Sequence, residues 1–259
     1  MKKIVVAPNS FKGSLTSAEV ADAVERGIKD VFPQCNVVKA GVADGGEGTV
    51  EAIVKAVGGD MYAASVTDPL GRPVKAAYGI VRSGGVKTAV MEMSAASGLP
   101  LLLPDELNPW ITSTYGTGEM ISDALNRGCR KFLVGIGGSA TNDAGTGMLS
   151  ALGVRFLDSS GQRLKGCGRD LESIARIDMS SLMPAARESE FIVACDVNTP
   201  FCGPDGAARV FAPQKGADPQ TAEALDCGMR SFARVIAGQF QTDIVPLSGA
   251  GAAGGLGGA

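Results

Sequence analysis

The stretch KFLVGIGGSATNDAGTGML, residues 131–149, carries the pattern on which the fold prediction depends. It begins with an apolar run of strand type, which ends abruptly in two glycines. Small residues, hydroxyls, a carboxamide and Asp143 follow, and a helical pattern begins directly after them. A strand that passes through a glycine-rich turn into a helix is typical of α/β folds, which bind ligands at the carboxyl ends of parallel strands.

The amino-terminal segment predicts the same kind of unit. Residues 2–7 predict a buried strand, and residues 36–43 predict a second strand that ends at Asp44. Thr16 and Glu19 predict a capping box at the start of the first helix. A second helix is predicted over residues 48–57, with Gly58 as its carboxyl-terminal stop. This β-α-β-α order predicts a parallel, doubly wound sheet.

The pattern changes near Asp60, where short strands follow one another without helices between them. These strands are predicted over residues 62–67, 74–81 and 87–93. Helices return at residues 118–126, 144–152 and 219–237, and strands are predicted at 131–136 and 191–196. A second, strand-rich domain is therefore predicted to begin near Asp60.

Composition excludes several classes of protein. A net charge of −3 argues against a nucleic-acid or acidic-membrane partner. The six cysteines are scattered, which favours reduced thiols in the cytoplasm, and no apolar run reaches the length of a membrane span. The chain has no histidine, so Ser-His-Asp and Cys-His machinery and His-ligated zinc are excluded. Catalysis would have to use carboxylates, lysines, hydroxyls, thiols or backbone dipoles.

Three aspartates, Asp44, Asp143 and Asp196, each lie at or just beyond the end of a predicted strand. Each could be an ordinary helix cap. Because the first two stand beside glycines and all three fall at strand ends, where α/β sheets bind ligands, the set favours a shared site.

The turn after the central strand is of the kind that binds anions. Gly137, Gly138 and Gly145 permit tight turns with exposed N–H groups, and the helix that follows points its positive end to the same place. Neutral hydrogen-bonding partners come from Ser139, Thr141 and Asn142. An ordinary strand-to-helix loop is the alternative interpretation.

Two loop lysines, Lys12 and Lys215, supply positive charge. Aspartates, an anion-binding turn and lysines are the parts that phosphoryl transfer needs. The dipeptide GK never occurs, so there is no Walker P-loop. GAGAAG, residues 249–254, matches the dinucleotide-binding pattern and leaves open a nicotinamide-dependent hydroxy-acid oxidoreductase. A non-catalytic small-anion binding protein is a further alternative.

These motifs resemble those of the bacterial type I glycerate kinases. The resemblance runs from Lys3 to the last residue. It includes PNSFKGSL, VADGGEGTVEAIV, EMSAASGL, YGTGEMI, GIGGSATNDAGTGML, ALGVRFLD, ACDV, FAPQKGA and GAGAAGGLG, in the family's order and spacing. Asn9 stands where the family commonly has aspartate.

The resemblance implies phosphorylation of D-glycerate by ATP and Mg²⁺, generally to 2-phosphoglycerate. It also implies a flavodoxin-like domain, residues 1–60 plus about 240–259, and a second α/β domain with a prism-like sheet, residues 61–239. The family's first domain is completed by a carboxyl-terminal segment that this chain is expected to lack, and the fragment would then be an incomplete enzyme.

Within this scheme, Asp196 is the first choice as catalytic base because carboxylates are the obvious bases in a chain without histidine. Asp44 is the second choice, and Asp44 with Glu47 are the candidate Mg²⁺ ligands. Arg209 could bind the glycerate carboxylate bidentately. Lys12 would stabilise phosphate charge. The other expected substrate- or phosphate-binding residues are Ser10, Gly45, Gly46, Gly137, Gly138, Ser139, Thr141, Asn142, Asp143 and Lys215.

Overall fold

The computed structural model describes residues 3–9, 11, 14–40, 46 and 48–259. Over these residues the strands are β1 (Lys3–Val6), β2 (Asn36–Lys39), β3 (Gly59–Thr67), β4 (Pro73–Ser83), β5 (Val86–Glu92), β6 (Lys131–Gly135), β7 (Arg155–Leu157), β8 (Arg176–Asp178) and β9 (Glu190–Ala194). The helices of the same residues are α1 (Ser17–Val31), α2 (Thr49–Val57), α3 (Ser94–Ser97), α4 (Tyr115–Asn126), α5 (Thr146–Ala151), α6 (Pro184–Arg187), α7 (Ala207–Phe211), α8 (Pro219–Phe240) and α9 (Ala252–Gly255).

A five-stranded sheet in the order β3-β4-β5-β6-β9 forms the centre of the molecule. The first three strands are antiparallel, as expected for strands that follow one another without helices, and β5, β6 and β9 are parallel. β1 and β2 form a separate parallel pair, and β7 and β8 form an antiparallel one. The predicted mixed α/β class is confirmed. The two domain boundaries and the prism-like sheet stay predictions.

The register of the parallel strands aligns their carboxyl ends along one edge. Glu92 at the end of β5 lies opposite Gly135 of β6, which lies opposite Ala194 of β9. The loops that follow these strands therefore leave the sheet side by side.

Residues along the sheet alternate between two apolar layers, as the period of a strand requires. Tyr78, Met91 and Phe132 belong to the larger core, which α4 covers with Met120 and Ile121. On the opposite face, Val81 and Val90 pack against Val50 of α2. The sheet is thus covered by helices on both faces.

The longest helix, α8, begins and packs as the sequence predicts. Asp218 caps it by accepting the N–H of Thr221 at 2.7 Å, and Pro219 occupies the first turn. Its apolar stripe, which includes Leu225, Met229 and Phe232, joins a second core around Phe156 and Phe201. The predicted capping box of α1 is also present, because Thr16 and Glu19 exchange both bonds.

The prediction of a buried first strand is wrong, and two other strands also carry exposed apolar residues. Val5 of β1 is 59% exposed, Val38 of β2 is exposed, and Ile192 of β9 is 53% exposed. β9 lies at the edge of the sheet, and among the described residues it pairs with β6 alone. An apolar run predicts a strand, but its neighbours decide whether that strand is covered.

Two helices begin at other residues than predicted. α4 starts at Tyr115, three residues before the predicted start at Gly118. α5 starts at Thr146 rather than Ala144, because Ala144 and Gly145 have left-handed backbone conformations with φ of 50° and 72°. None of the described helices combines the length and the apolar character that crossing a membrane requires.

Candidate active site

Three loops meet at the carboxyl edge of the sheet. We call residues 137–147 the β6 loop, residues 195–200 the β9 loop, and residues 249–258 the glycine loop. The first two follow the strands for which they are named, and the third reaches this edge from the end of the described chain. Their mutual contacts decide which sequence-predicted residues can meet a ligand.

The β6 loop opens with an exposed turn and then becomes buried. Gly137 and Gly138 are exposed, and Gly138 has a φ of 71°, which favours glycine. Among the described residues, no acceptor takes the backbone N–H of either glycine. Ser139, Thr141, Asn142 and Asp143, in contrast, are all buried. The exposed turn is therefore the part of this loop that a ligand can reach.

Asp143 is fully buried, and its carboxylate is engaged inside the protein. It accepts the N–H and the hydroxyl of Thr114 at 2.7 and 2.8 Å, and the N–H groups of Gly145 and Gly147 at 3.2 and 3.3 Å. Thr114 is the cap residue of α4 and Gly145 that of α5, so one side chain joins two helix starts. Burial raises the pKa of Asp143, and these hydrogen bonds oppose the rise.

The position of Asp143 bears on two expectations. The sequence suggested that Asp143 would face a ligand, and that the helix after it would present free N–H groups to an anion. Instead, its own carboxylate accepts hydrogen bonds from the N–H groups of Gly145 and Gly147 at the start of α5. Asp143 therefore shapes the loop from within.

Lys215 was expected to reach phosphate from a surface loop, but its side chain is only 1% exposed. Its Nζ donates to Ser139 Oγ at 2.7 Å and to the carbonyl of Thr141 at 2.6 Å. Burial lowers the pKa of Lys215 to about 7, and the negative charge of Asp143 opposes that shift. Lys215 thus supports the β6 loop from the protein interior.

Two polar atoms of the β6 loop have no hydrogen-bond partner among the described residues. They are Thr141 Oγ1 and Asn142 Oδ1. The amide nitrogen of Asn142 lies 3.3 Å from the sulfur of Met229, a weak acceptor. Unpaired buried oxygens are rare in folded proteins because they cost free energy. Each one therefore calls for an explanation, such as a role in a functional site.

The glycine loop packs tightly against the β6 loop. The N–H of Ala144 donates to the carbonyl of Gly254 at 3.0 Å. Gly254 has a φ of 68°, and a Cβ there would overlap the carbonyl oxygen of Thr141. Ala144 and Ala253 both adopt the left-handed conformation, which is strained for alanine. The strain lies where these two loops meet.

The glycine loop also holds the β9 loop. Gly251 donates its N–H to the carbonyl of Thr199 at 3.0 Å, and Ser248, just before the loop, contacts the side chain of Asn198 at 3.1 Å. Within the β9 loop, Asp196 is exposed. The predicted base is therefore accessible to solvent, whereas Asp143 of the β6 loop is buried.

Arg209 lies on α7, and its guanidinium is paired with the acidic side chains of α8. It hydrogen-bonds Glu223 and lies 3.7 Å from buried Asp226. To bind Arg209 as expected, the glycerate carboxylate would have to compete with these two acidic side chains. The structure thus gives Arg209 a place in the α7–α8 contact.

Five expected residues lie outside the described part of the chain: Ser10, Lys12, Asp44, Gly45 and Glu47. Gly46 is described, and its carbonyl accepts the N–H of Thr49 at 3.2 Å. Within the described ranges, no group of three or more metal-ligating side chains could hold a cation. The shared site of three aspartates stays a prediction, because Asp44 lies outside the described residues, although Asp143 is buried.

Glu92 was not predicted as a site residue from the sequence. This side chain is 9% exposed, ends β5 at the carboxyl edge and accepts the N–H of Val50 at 2.9 Å. It thereby holds the start of α2, the helix that follows the ADGGEG segment. The signal was present in the sequence, since Glu92 ends an apolar strand as Asp196 does.

Comparisons with known proteins agree with this architecture. A sequence model described as the glycerate kinase family matches residues 4–259. The chain belongs to the glycerate kinase family. Membership places it among kinase enzymes.

The individual relatives are also named as glycerate kinases. The chain is 49% identical to the glycerate kinase of Haemophilus influenzae over 256 residues and 46% identical to the glycerate 2-kinase of Escherichia coli over 257 residues. Each alignment covers 99% of this chain and 67% of the relative. A crystal structure assigned as glycerate kinase 2 from Salmonella typhimurium LT2 has a TM-score of 0.86 and 46% identity, over 99% of this chain and 68% of that one. The chain thus spans about two thirds of the length of these relatives.

Proposed function

We propose that the chain takes part in the ATP-dependent phosphorylation of D-glycerate to 2-phosphoglycerate. The observation that carries the proposal is the family match over residues 4–259. The name of the Escherichia coli relative, glycerate 2-kinase, supports phosphorylation of the 2-hydroxyl. The cytoplasmic location inferred from the scattered cysteines stays a prediction.

In this scheme Asp196 acts as the general base. The attacking hydroxyl of glycerate must lose its proton as it approaches the γ-phosphorus, and a carboxylate can accept it. Asp196 is exposed on a loop that hydrogen bonds of residues 198 and 199 hold in place. The accessibility of this carboxylate and the fixed loop that carries it support the proposed role.

The turn at Gly137 and Gly138 is the proposed anion-binding element. Its two N–H groups have no acceptor among the described residues, and the loop behind it is held by Asp143 and Lys215. Preorganised N–H donors stabilise phosphate or carboxylate charge without reorganisation during the reaction. Either the ATP phosphates or the glycerate carboxylate could occupy this turn.

Mg²⁺ and the remaining polar contacts are proposed from the family. When bound, Mg²⁺ would neutralise charge on the transferred phosphoryl group. Its expected ligands Asp44 and Glu47, and the expected phosphate contacts Ser10 and Lys12, lie outside the described residues.

A coupled assay of ADP release tests the proposal, with D-glycerate present or omitted and with Asp196→Asn as the comparison variant. We expect ADP only when D-glycerate is present. Adding enolase alone identifies the product, because enolase dehydrates 2-phosphoglycerate and does not act on the 3-isomer. Glycerate binding without ADP release would instead favour the small-anion binding protein. A glycerate-dependent change in nicotinamide absorbance, with ATP and the coupling enzymes omitted, would favour the oxidoreductase.

A further inference from the structure

The segment that carries Lys215 is fixed by its own backbone. After α7 ends, the chain makes a tight 3-10 turn over Pro213–Lys215, and the N–H of Lys215 donates to the carbonyl of Ala212 at 3.0 Å. Gly216 follows with a φ of 96°, packed directly on the backbone of Leu107. The backbone alone therefore directs the side chain of Lys215 into the protein interior.

The chemistry of an ammonium group fixes the hydrogen-bond direction at Ser139. A protonated lysine can only donate, so Ser139 Oγ is the acceptor in the 2.7 Å contact. The hydroxyl proton of Ser139 must then point away from Lys215. Ser139 directly follows the exposed glycines, and its hydroxyl keeps its proton for a partner other than Lys215.

A second contact of Lys215 fixes the next part of the loop. Its Nζ also donates a hydrogen bond to the carbonyl of Thr141 at 2.6 Å, so that this acceptor faces the protein interior. The hydroxyl of Thr141 and the side-chain oxygen of Asn142 have no partner among the described residues. Lys215 thus holds a loop that contains the hydroxyl of Ser139 and two unpaired buried oxygens.

Charge balance in the β6 loop depends on the same residue. The negative charge facing Lys215 is that of Asp143. With Lys215 protonated and Asp143 ionised, the two charges offset each other behind the turn. Loss of the proton from Lys215 would leave the charge of Asp143 uncompensated, and would also let Ser139 donate inward to the neutral amine.

We propose that Lys215 is a positioning residue whose protonated form prepares the β6 loop to bind an anionic group, so that anion binding weakens as pH rises through neutrality. The inference rests on the proposed function only in taking the anion to be a phosphate or carboxylate of the reactants. The pH range follows from burial, which lowers the pKa of Lys215 to about 7.

Sulfate is a suitable probe, because its charge does not change between pH 6 and 9. Its binding is to be measured calorimetrically over this range for the unmodified chain and for Lys215→Met, Lys215→Arg and Lys165→Met. Lys165 is exposed and serves as the matched control. If only the protonated form binds, the dissociation constant of the unmodified chain should rise roughly tenfold between pH 6 and 8.

The variants separate positioning from a merely structural role. Lys215→Met should bind sulfate weakly, with no pH dependence, and Lys215→Arg should keep its affinity at pH 9 because arginine stays protonated. Lys165→Met should match the unmodified chain. A residue that only stabilised the fold would lower the melting temperature of the methionine variant and leave the sulfate profile of its folded fraction unchanged.

Three results would overturn the inference: a sulfate affinity that is constant from pH 6 to 9, wild-type binding by Lys215→Met, or no sulfate binding by the unmodified chain. The ADP assay keeps the two proposals distinct. Glycerate-dependent ADP release with a flat sulfate profile would end this inference alone, and the expected profile without ADP release would end the proposed function alone.

Discussion

The loops after β6 and β9 begin from the same sequence pattern and reach opposite environments. Each follows an apolar parallel strand and carries an aspartate, Asp143 in one and Asp196 in the other. Asp143 is fully buried and accepts four hydrogen bonds, whereas Asp196 is exposed. β6 lies between two strands and β9 lies at the sheet edge. A carboxylate that holds a loop and one that can react with a ligand are thus told apart by their neighbours.

The largest expected effect is on turnover, from Asp196→Asn. If Asp196 is the base, the amide should reduce turnover roughly a thousandfold, because it cannot accept the proton. The melting temperature should stay unchanged, since Asp196 is exposed. The measurement is glycerate-dependent ADP release beside a thermal melt. Turnover within a few-fold of the unmodified chain would remove Asp196 from the role of base.

The second effect is on stability, from Asp143→Ala. The substitution leaves the N–H groups of Thr114, Gly145 and Gly147 without their acceptor inside the protein. We expect the free energy of unfolding to fall by about 3 kcal/mol, measured by urea titration. Asp196→Ala is the matched control and should change it by less than about 0.5 kcal/mol. Equal losses in the two variants would show that the two loops do not differ as described.

The third effect tests the contact between the glycine loop and the β6 loop. Gly254→Ala places a Cβ against the carbonyl of Thr141 at a φ of 68°, so we expect a loss of about 2 kcal/mol in the free energy of unfolding. Gly27→Ala is the control, because Gly27 lies inside α1 with open space around it. That change should stabilise the chain by up to about 1 kcal/mol. A neutral Gly254→Ala would mean that the two loops are not closely packed in solution.

The smallest effect, per pH unit, is on stability and comes from the titration of Lys215, which contacts the β6 loop. Burial lowers its pKa from 10.5 to about 7 in the folded chain, so between these values the unfolded chain binds the proton and the folded chain does not. Lys215 should therefore make stability rise with pH across this window, by up to about 1.4 kcal/mol per unit. Below pH 7 both states are protonated and this contribution to the slope disappears.

The measurement for Lys215 is the urea midpoint of the unmodified chain and of Lys215→Met at several pH values from 7 to 10. The difference between the two midpoints should change steadily across this range. Lys165→Met, an exposed control, should run parallel to the unmodified chain. A constant difference for Lys215→Met would mean that Lys215 does not titrate in this window.

Much of the fold could be predicted from local chemistry. The capping box of Thr16 and Glu19 and the cap of α8 at Asp218 are both present, because each depends on residues close in sequence. The three consecutive strands predicted after Asp60 are present as β3, β4 and β5, which pair antiparallel. Periodicity and capping act over a few residues, so the sequence displays them directly.

Burial at the site could not be predicted, because it depends on contacts between distant segments. Lys215 is joined to Ser139 across 76 positions of sequence, and Glu92 to Val50 across 42. The pattern FAPQKGA looks like an exposed loop, and only the packing of α7 and the β6 loop makes its lysine internal. For this reason the sequence did not show that Lys215 and Asp143 are buried.

The edge position of β9 has a consequence for handling the protein. Phe191, Ile192 and Val193 are all exposed on this strand, and within the described chain its outer side pairs with no other strand. An unprotected apolar strand edge can recruit a strand from another molecule and begin self-association. Because Asp196 follows this strand by two positions, aggregation there would carry the proposed base with it. Apparent specific activity should therefore be determined over a dilution series.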